Sequence, residues 1–236
     1  MSNEELIKEI RKHRLADLAD GLDALGLVNT GTMNSEMRPI REGIKFAGFA
    51  YTVKLIPAQK DVKVCDNIEE YFSELGNWCS DTYSFMSGIT EKTAKDMVVV
   101  IDEGGYPGGV WGSEIGMNTM KKGVVGAVID GACRDTYECN LEKVNAFCTK
   151  RTFNHVYGRL VNGGINIPIQ CAGVTVNPGD IICADDDGVL VIPRDKAEKV
   201  LEFAVAIHKE DQKTRAKHYE DLGYEYDETL GDIDAE

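Results

Sequence analysis

The most constraining feature of the sequence is an apolar run at residues 124–129 that leads directly into a group of charged residues. A run of this kind is typical of a strand buried on both faces, as in α/β proteins. The Asp-Gly pair at 130–131 is a turn dipeptide, so we expect the strand to end there. Arg134, Asp135 and Glu138 follow just beyond. The pattern predicts charged side chains close to the end of a buried strand.

These three charged residues admit two interpretations. Arginine can grip a planar carboxylate through two parallel hydrogen bonds, and carboxylates suit a hard divalent cation such as Mg²⁺ or Mn²⁺. Loops at the ends of buried strands often carry binding and catalytic residues. The alternative, a surface salt bridge after a strand, stays open from the residues alone.

A glycine-rich loop precedes this strand in the sequence. The apolar residues 97–101 predict a second buried strand, and Gly104-Gly-Tyr-Pro-Gly-Gly-Val-Trp-Gly112 follows it. A helix is predicted from about Ser113 to Lys122. Glycines let a backbone approach a ligand, and the free N–H groups at a helix start favour an anion. The alternative is a flexible surface loop. The loop lacks G-x-G-x-x-G and a P-loop lysine, which disfavours a nucleotide site and with it a methyltransferase.

Three stretches together resemble the RraA-like family: the loop and helix start at 104–116, GVVGAVIDGACRD at 123–135, and VNPGDIICADDDGVLVIP at 176–193. The resemblance extends over roughly residues 15–215. That family includes class II pyruvate aldolases that act on 4-hydroxy-4-methyl- or 4-carboxy-4-hydroxy-2-oxo acids, and regulators of RNase E.

The resemblance implies an α/β fold, the swivelling β/β/α domain of the family, with N-terminal helices and a C-terminal helical arm. We therefore expect a single domain over 1–236, with its core at about 15–193 and the arm at about 194–236. It also implies a homotrimer or homohexamer with sites between subunits.

The aldolase signature of the family is Gly, twenty residues, Arg-Asp, two residues, then Glu or Asp. Arg134, Asp135 and Glu138 match it. Ser113 stands where the signature has glycine, and Gly112 immediately precedes it. Serine is a common helix N-cap and keeps its backbone N–H, so we expect the loop to persist.

The resemblance also assigns roles. Asp135 would bind Mg²⁺ or Mn²⁺ directly, Glu138 would hold waters bound to that metal, and Arg134 would pair with the substrate and the developing enolate oxygen. The substrate would be bound by Gly112, Ser113, Glu114, Ile115 and Arg134. The backbone N–H groups of Ser113, Glu114 and Ile115 would hold the pyruvate carboxylate at the helix start.

The C-terminal segment predicts a helix from about residue 194 with one apolar face, followed by a mostly charged stretch at 209–220. We expect this stretch to pack against a neighbouring subunit. In the aldolases that the chain resembles, an acidic residue on this arm completes the site of the next protomer. Glu210 is the positional match, and a solvated helix face is the alternative for it.

Composition limits the function classes. The formal net charge is −14 and the isoelectric point is near 4.8, which argues against nucleic-acid binding. The sequence has no apolar stretch of about 18 residues for a membrane span, and no apolar signal core near its start. We expect a cytoplasmic protein.

Cysteine and histidine spacing gives no metal signature. The seven cysteines include no Cys-x-x-Cys pair, which disfavours a zinc site or a disulfide framework. Cys133 is disfavoured as a nucleophile because no partner base is evident. His13, His155 and His218 have no ligand-like spacing. Three adjacent aspartates at 185–187 precede a glycine, and we favour a hairpin turn over a metal site there.

The resemblance, carried by these motifs, implies a metal-dependent carbon–carbon lyase acting on a small-molecule 2-oxo acid, and we expect oxaloacetate decarboxylation as a side activity. The alternative function is a non-catalytic regulator that binds an RNase E-like ribonuclease. The retained Arg134, Asp135 and Glu138 and the long C-terminal arm favour the enzyme.

Overall fold

The computed structural model describes residues 1–227, 229 and 230. Its α-helices are α1 (Asn3–Ile10), α2 (Leu15–Ala24), α3 (Ile68–Thr82), α4 (Ser113–Lys122), α5 (Thr136–Leu141) and α6 (Ala197–Leu222). Its strands are β1 (Arg38–Pro39), β2 (Phe46–Pro57), β3 (Met97–Asp102), β4 (Gly109–Trp111), β5 (Gly126–Cys133), β6 (Ala146–Arg151), β7 (Leu160–Ile165), β8 (Ile169–Cys171), β9 (Val174–Val176), β10 (Ile181–Asp185) and β11 (Gly188–Ile192).

One large sheet organises the molecule. Its main path runs β1-β6-β5-β3-β2-β10-β11, with β4 paired to β5 and β7 paired to β2. Strands β2, β3, β5 and β6 are parallel to one another, whereas β1, β7 and β10 pair with them antiparallel, and β11 pairs antiparallel with β10. The carboxyl ends of the parallel strands therefore lie at one edge of the sheet, and the candidate site is built there.

The core follows from the apolar strands. Residues 98–101 of β3 and 127–129 of β5 are fully buried, as expected for strands covered on both faces. This confirms the two buried strands predicted from the sequence. The hairpin turn predicted at 185–187 joins β10 and β11.

The Asp-Gly pair at 130–131 is not a turn, so that prediction is wrong. Strand β5 continues through it to Cys133, and β4 pairs with its last residues. A Cβ at Gly131 would lie 2.2 Å from a carboxylate oxygen of Glu103, and glycine relieves that contact. The Asp130 carboxylate accepts a hydrogen bond from the Ala172 N–H at 2.8 Å. Tertiary contacts thus override the local turn preference.

The three aspartates form the expected hairpin turn. Asp185 pairs with Gly188 across β10 and β11, and its carboxylate accepts a hydrogen bond from the Asp187 N–H at 3.0 Å. The Asp186 carboxylate accepts one from the Gly43 N–H at 2.9 Å. These carboxylates serve backbone groups, which supports the turn over a metal site.

The apolar face of the C-terminal helix packs on its own chain, whereas the packing of the stretch at 209–220 on a neighbouring subunit stays a prediction. Val200, Leu201 and Ala204 are buried in a cluster with Leu18 and Leu22 of α2. This apolar face is continuous with the N-terminal helices, and hydrophobic burial fixes the helix there.

Polar contacts extend this packing into the charged stretch of α6. Arg14 forms an ion pair with Asp211, and the Gln212 side chain donates to the Leu230 carbonyl at 2.8 Å. Glu210 is exposed beside Lys213. Residues 228 and 231–236 of the expected arm and domain lie outside the described part of the chain. Within that part, no helix combines the length and hydropathy needed to cross a bilayer.

Candidate active site

A cavity of about 280 Å³ opens where β5 ends and α4 begins. It brings together Arg134, Asp135 and the first turn of α4, which are far apart in sequence. Its wall consists of Cys79, Tyr83, Met86, Val110, Gly112, Glu114, Ile115, Asn118, Arg134, Asp135 and His155. Ser113 and Glu138 are not part of this wall, and neither is Glu210 of the same chain.

Backbone geometry directs Arg134 and Asp135 into the cavity. The Arg134 N–H donates to the Trp111 carbonyl at 2.9 Å, which ties the end of β5 to β4. Asp135 has φ 53° and ψ 36°, a left-handed conformation that aspartate tolerates better than most residues. Its carboxylate does not cap α5, and its Oδ2 lies 3.4 Å from the Arg134 Nε. About a third of each side chain is exposed, 31% and 37% respectively, so both can reach a ligand.

Gly112 makes room for this carboxylate. It is the N-cap of α4, and a Cβ there would lie 2.6 Å from the Asp135 Oδ2 and 3.2 Å from the Arg134 side chain. Ser113 is the first residue of the helix and not its cap, which corrects the expected N-cap role. The steric need for glycine therefore falls on Gly112, one position before the signature position that Ser113 occupies.

The start of α4 can accept an anion. The N–H groups of Ser113, Glu114 and Ile115 have no intrahelical partner because they belong to the first turn. No side chain caps this helix start either. These N–H groups and the helix dipole favour negative charge. The basic Arg134 adds positive charge to the same cavity. The arrangement suits a small carboxylate.

The glycine-rich loop is anchored at its start. The Lys54 Nζ lies 2.6 Å from the Asp102 carboxylate, and the same carboxylate accepts a hydrogen bond from the Gly104 N–H at 2.8 Å. Lys150, which lies in β6, donates a hydrogen bond to the Gly105 carbonyl. These contacts favour a fixed loop over the alternative of a flexible surface loop.

His155 and Tyr83 line the cavity and were missed in the sequence. The His155 Nδ1 accepts a hydrogen bond from the Tyr157 N–H at 3.0 Å, so the neutral ring carries its proton on Nε2. Burial and the charge of Arg134 lower the pKa of His155, which favours this neutral form. The Tyr83 hydroxyl donates to the Val110 carbonyl at 3.0 Å, and burial raises its pKa. No local pattern marks either residue, because only the fold brings them to the cavity.

The donor set fits a hard divalent cation. Asp135 offers carboxylate oxygens at the cavity wall, and Glu114 adds an exposed carboxylate on the same wall. Mg²⁺ commonly binds proteins through one or two carboxylates and keeps several waters. Glu138 is exposed on α5, three residues after Asp135, and its contact with a metal through water stays a prediction.

The cysteines do not add a nucleophile. All seven are free thiols, and five of them are buried. Cys133 is 1% exposed, and its hydrogen bond with Cys148 and its burial raise its pKa well above the usual value. A thiol held in the protonated form is a weak nucleophile. This agrees with the interpretation of Cys133 as a core residue.

Comparisons with known proteins agree with this architecture. The RraA-like family model, described as Aldolase/RraA, matches residues 15–191. The protein DlpA of Legionella pneumophila is 29% identical over 89% of the chain, which spans only 31% of DlpA. A putative 4-hydroxy-4-methyl-2-oxoglutarate aldolase of Halalkalibacterium halodurans is 28% identical, covering 88% of this chain and 86% of that protein. The crystal structure of Streptomyces coelicolor RraAS2, described as an unusual member of the RNase ES inhibitor RraA family, superposes with a TM-score of 0.74 at 23% identity, covering 91% and 97% of the two chains.

Proposed function

The chain belongs to the RraA-like family, and on that premise we propose that it is a divalent-metal-dependent class II aldolase. Its substrate class would be a 4-hydroxy-2-oxo acid, cleaved to pyruvate and a second carbonyl compound. Support comes from relatives named as 4-hydroxy-4-methyl-2-oxoglutarate aldolases, among them one of Thermus thermophilus. We propose a homotrimer or homohexamer as its assembly.

One observation carries the proposal: Arg134, Asp135 and the uncapped start of α4 line the same cavity. A 2-oxo acid presents a carboxylate and an adjacent carbonyl, and the three features supply a partner for each. An ordinary surface salt bridge would not require Gly112 beside it or an uncapped helix start facing it.

The reaction breaks the bond between C3 and C4. The 4-hydroxyl loses its proton as C4 becomes a carbonyl, and the bonding electron pair moves into C3 and the 2-oxo group as an enolate. A proton is then added at C3 to give pyruvate. Oxaloacetate gives the same enolate when CO₂ leaves, so decarboxylation is the proposed side activity. The main barrier is the negative charge of the enolate.

The residues of the chain would lower this barrier by binding and positioning. The N–H groups of Ser113, Glu114 and Ile115 would hold the carboxylate of the substrate at the start of α4. Arg134 would donate to the 2-oxo oxygen, where charge accumulates. Mg²⁺ or Mn²⁺ held by Asp135, with Glu138 contributing through water, would supply Lewis-acid stabilisation of the same oxygen. Tyr83 and the apolar wall would restrict water.

A pyruvate-coupled assay tests the proposal. Purified protein with Mg²⁺ or Mn²⁺ is supplied with a panel of 4-hydroxy-2-oxo acids, and separately with oxaloacetate. We expect pyruvate release from at least one hydroxy-oxo acid, accompanied by its carbonyl co-product. Absence of release across the panel, from protein whose folding is verified by its cooperative melting, would contradict the lyase assignment.

Gly112→Ala is expected to lower pyruvate release by about a hundredfold while the protein stays folded. The new Cβ would press on the Asp135 carboxylate and the Arg134 side chain and displace both. Initial rates at saturating substrate and metal measure the effect. Gly76→Ala is the matched control, because a Cβ at Gly76 meets no atom within 4 Å. Equal activity in the two variants would mean that the Asp135 position is not critical.

The second candidate is a non-catalytic regulator of an RNase E-like ribonuclease. The structural similarity to RraAS2 favours it only at the level of the fold. Inhibition of purified RNase E by this protein, with no pyruvate release, would favour the regulator.

Glu210 has a role only in the enzyme hypothesis. It is 75% exposed in its own chain, and its proposed role requires a second copy.

A further inference from the structure

A second cluster of metal-ligand side chains lies away from the candidate active site, where α6 crosses the N-terminal helices. His13 lies between α1 and α2, Asp17 lies in α2, and His208 lies in α6. One potential ligand atom from each residue falls within 4.8 Å of the other two. None of these residues lines the cavity of Arg134 and Asp135.

We propose that His13, Asp17 and His208 form a binding site for a transition-metal ion of the Zn²⁺ type. Two imidazoles and a carboxylate are a ligand set that zinc uses, with remaining positions filled by water. Imidazole selects zinc, nickel or copper over the magnesium that an all-oxygen site prefers. The ligand chemistry thus separates this site from the candidate active site.

The hydrogen bonding of the cluster leaves a place for the ion. The His13 Nδ1 is buried and has no hydrogen-bond partner, an unusual state for a buried polar atom. The His208 Nδ1 and the Asp17 Oδ2 are 2.9 Å apart. Two ligands about 2.0–2.1 Å from one zinc ion lie roughly 3 Å or slightly more from each other. An ion can therefore replace the shared proton with little movement of either side chain.

The surroundings of Asp17 match those of a ligating carboxylate. Asp17 is 1% exposed, and Arg14 donates to both of its oxygens, which fixes its orientation. Carboxylates that bind metals are commonly held by such outer partners. Arg14 also pairs with Asp211, so the two carboxylates outweigh the single guanidinium by one negative charge. This residual charge favours a cation.

The position of the cluster also indicates how an ion reaches it and how binding affects the stability of the fold. His13 lines a cavity of about 480 Å³ between the N-terminal helices and the sheet, which gives an ion a route to the cluster. A bound ion would join α6 to the segment between α1 and α2. Metal that binds the folded chain only would raise its resistance to unfolding.

Calorimetric titration of metal-stripped protein with ZnCl₂, in buffer containing excess MgCl₂, tests the site. We expect one Zn²⁺ per chain at this site and an increase in the thermal midpoint. His13→Gln and His208→Gln should each weaken binding at least tenfold and remove the midpoint increase. Glutamine at position 208 can still donate a hydrogen bond to Asp17, and the unpartnered His13 Nδ1 makes no hydrogen bond that its replacement would break, so the metal-free variants should remain folded.

Two controls locate the ion. His218→Gln removes an exposed histidine of the same helix and should leave zinc binding unchanged. Asp135→Asn should also leave it unchanged, which separates this site from the proposed aldolase centre. Failure of the wild-type protein to bind Zn²⁺, binding by both glutamine variants as tight as that of the wild type, or loss of binding in Asp135→Asn would overturn the proposal. In the first case the cluster is a hydrogen-bond network only.

Discussion

Arg134→Ala is expected to reduce pyruvate release by about a thousandfold and to leave the fold intact. In the proposed reaction Arg134 is the side chain that meets the charge developing on the 2-oxo oxygen. Loss of one such donor commonly costs about two to three orders of magnitude in rate, and a charged donor is at the upper end. The side chain is partly exposed, so its truncation leaves no large cavity in the core. Pyruvate release under saturating metal measures the effect.

Matched variants make the result specific. Arg134→Lys keeps the charge but loses the planar fork, and we expect activity between those of the wild type and the alanine variant. Arg38→Ala removes an exposed arginine from β1 and should leave turnover unchanged. Near-normal turnover in Arg134→Ala would remove this residue from the mechanism.

The same variant has a readout that does not depend on activity. The charge of Arg134 contributes to the lowered pKa of His155, because both line the same cavity. Arg134→Ala should therefore raise the pKa of His155 toward its usual value. An NMR titration of the imidazole resonances would detect this rise, and an unchanged value would mean that the two groups do not interact.

Much of the architecture was predictable because the strands have recognisable local sequence patterns. The apolar runs in β3 and β5 have no alternative to burial, and the Asp-Asp-Asp-Gly stretch has strong turn chemistry. Helix α4 was also evident, since a glycine loop precedes it and Gly123 ends it in a left-handed conformation. The resemblance to the family supplied the order of these elements in space.

Features set by distant contacts were not predictable. The pair at 130–131 has the composition of a turn, but Asp130 pairs with Asp102 of β3 and the two residues that follow this dipeptide pair with β4, so the strand continues through it. The apolar face of α6 indicated burial without indicating its partner, which is α2. His13 and His208 are 195 residues apart and meet only through this helix packing. Spacing rules for metal ligands cannot detect such a pair.

The candidate site likewise contains some residues that the sequence identified and others that it did not. Arg134 and Asp135 were identifiable because they follow the end of a buried strand, and the helix start because of its glycines. In the sequence, Ser113 stands where the family signature has glycine. In the structure, the position that sterically requires glycine is Gly112. Tyr83 immediately follows α3 and His155 lies in the segment after β6, and the chain carries no recognisable motif at either place.

Asp135→Asn is expected to abolish the dependence of pyruvate release on Mg²⁺ or Mn²⁺, and to lower the rate by about a thousandfold. Asparagine removes the negative charge that a hard cation requires, and the metal supplies Lewis-acid stabilisation in the proposed reaction. Asparagine also tolerates the left-handed backbone conformation of this position, whereas alanine adopts that conformation less readily. The substitution therefore tests the charge rather than the conformation of the strand end. Initial rates across a metal titration give both quantities.

The metal requirement has an independent test in the unmodified protein. EDTA should eliminate pyruvate release, and added Mg²⁺ or Mn²⁺ should restore it in the wild type but not in Asp135→Asn. Asp23→Asn, an exposed carboxylate on α2, is the control and should respond to metal like the wild type. Because Zn²⁺ at His13 and His208 would also be removed by EDTA, restoration by Mg²⁺ alone attributes the requirement to the oxygen ligands of Asp135. Full activity of the wild type in EDTA would refute metal dependence, and with it the class II mechanism.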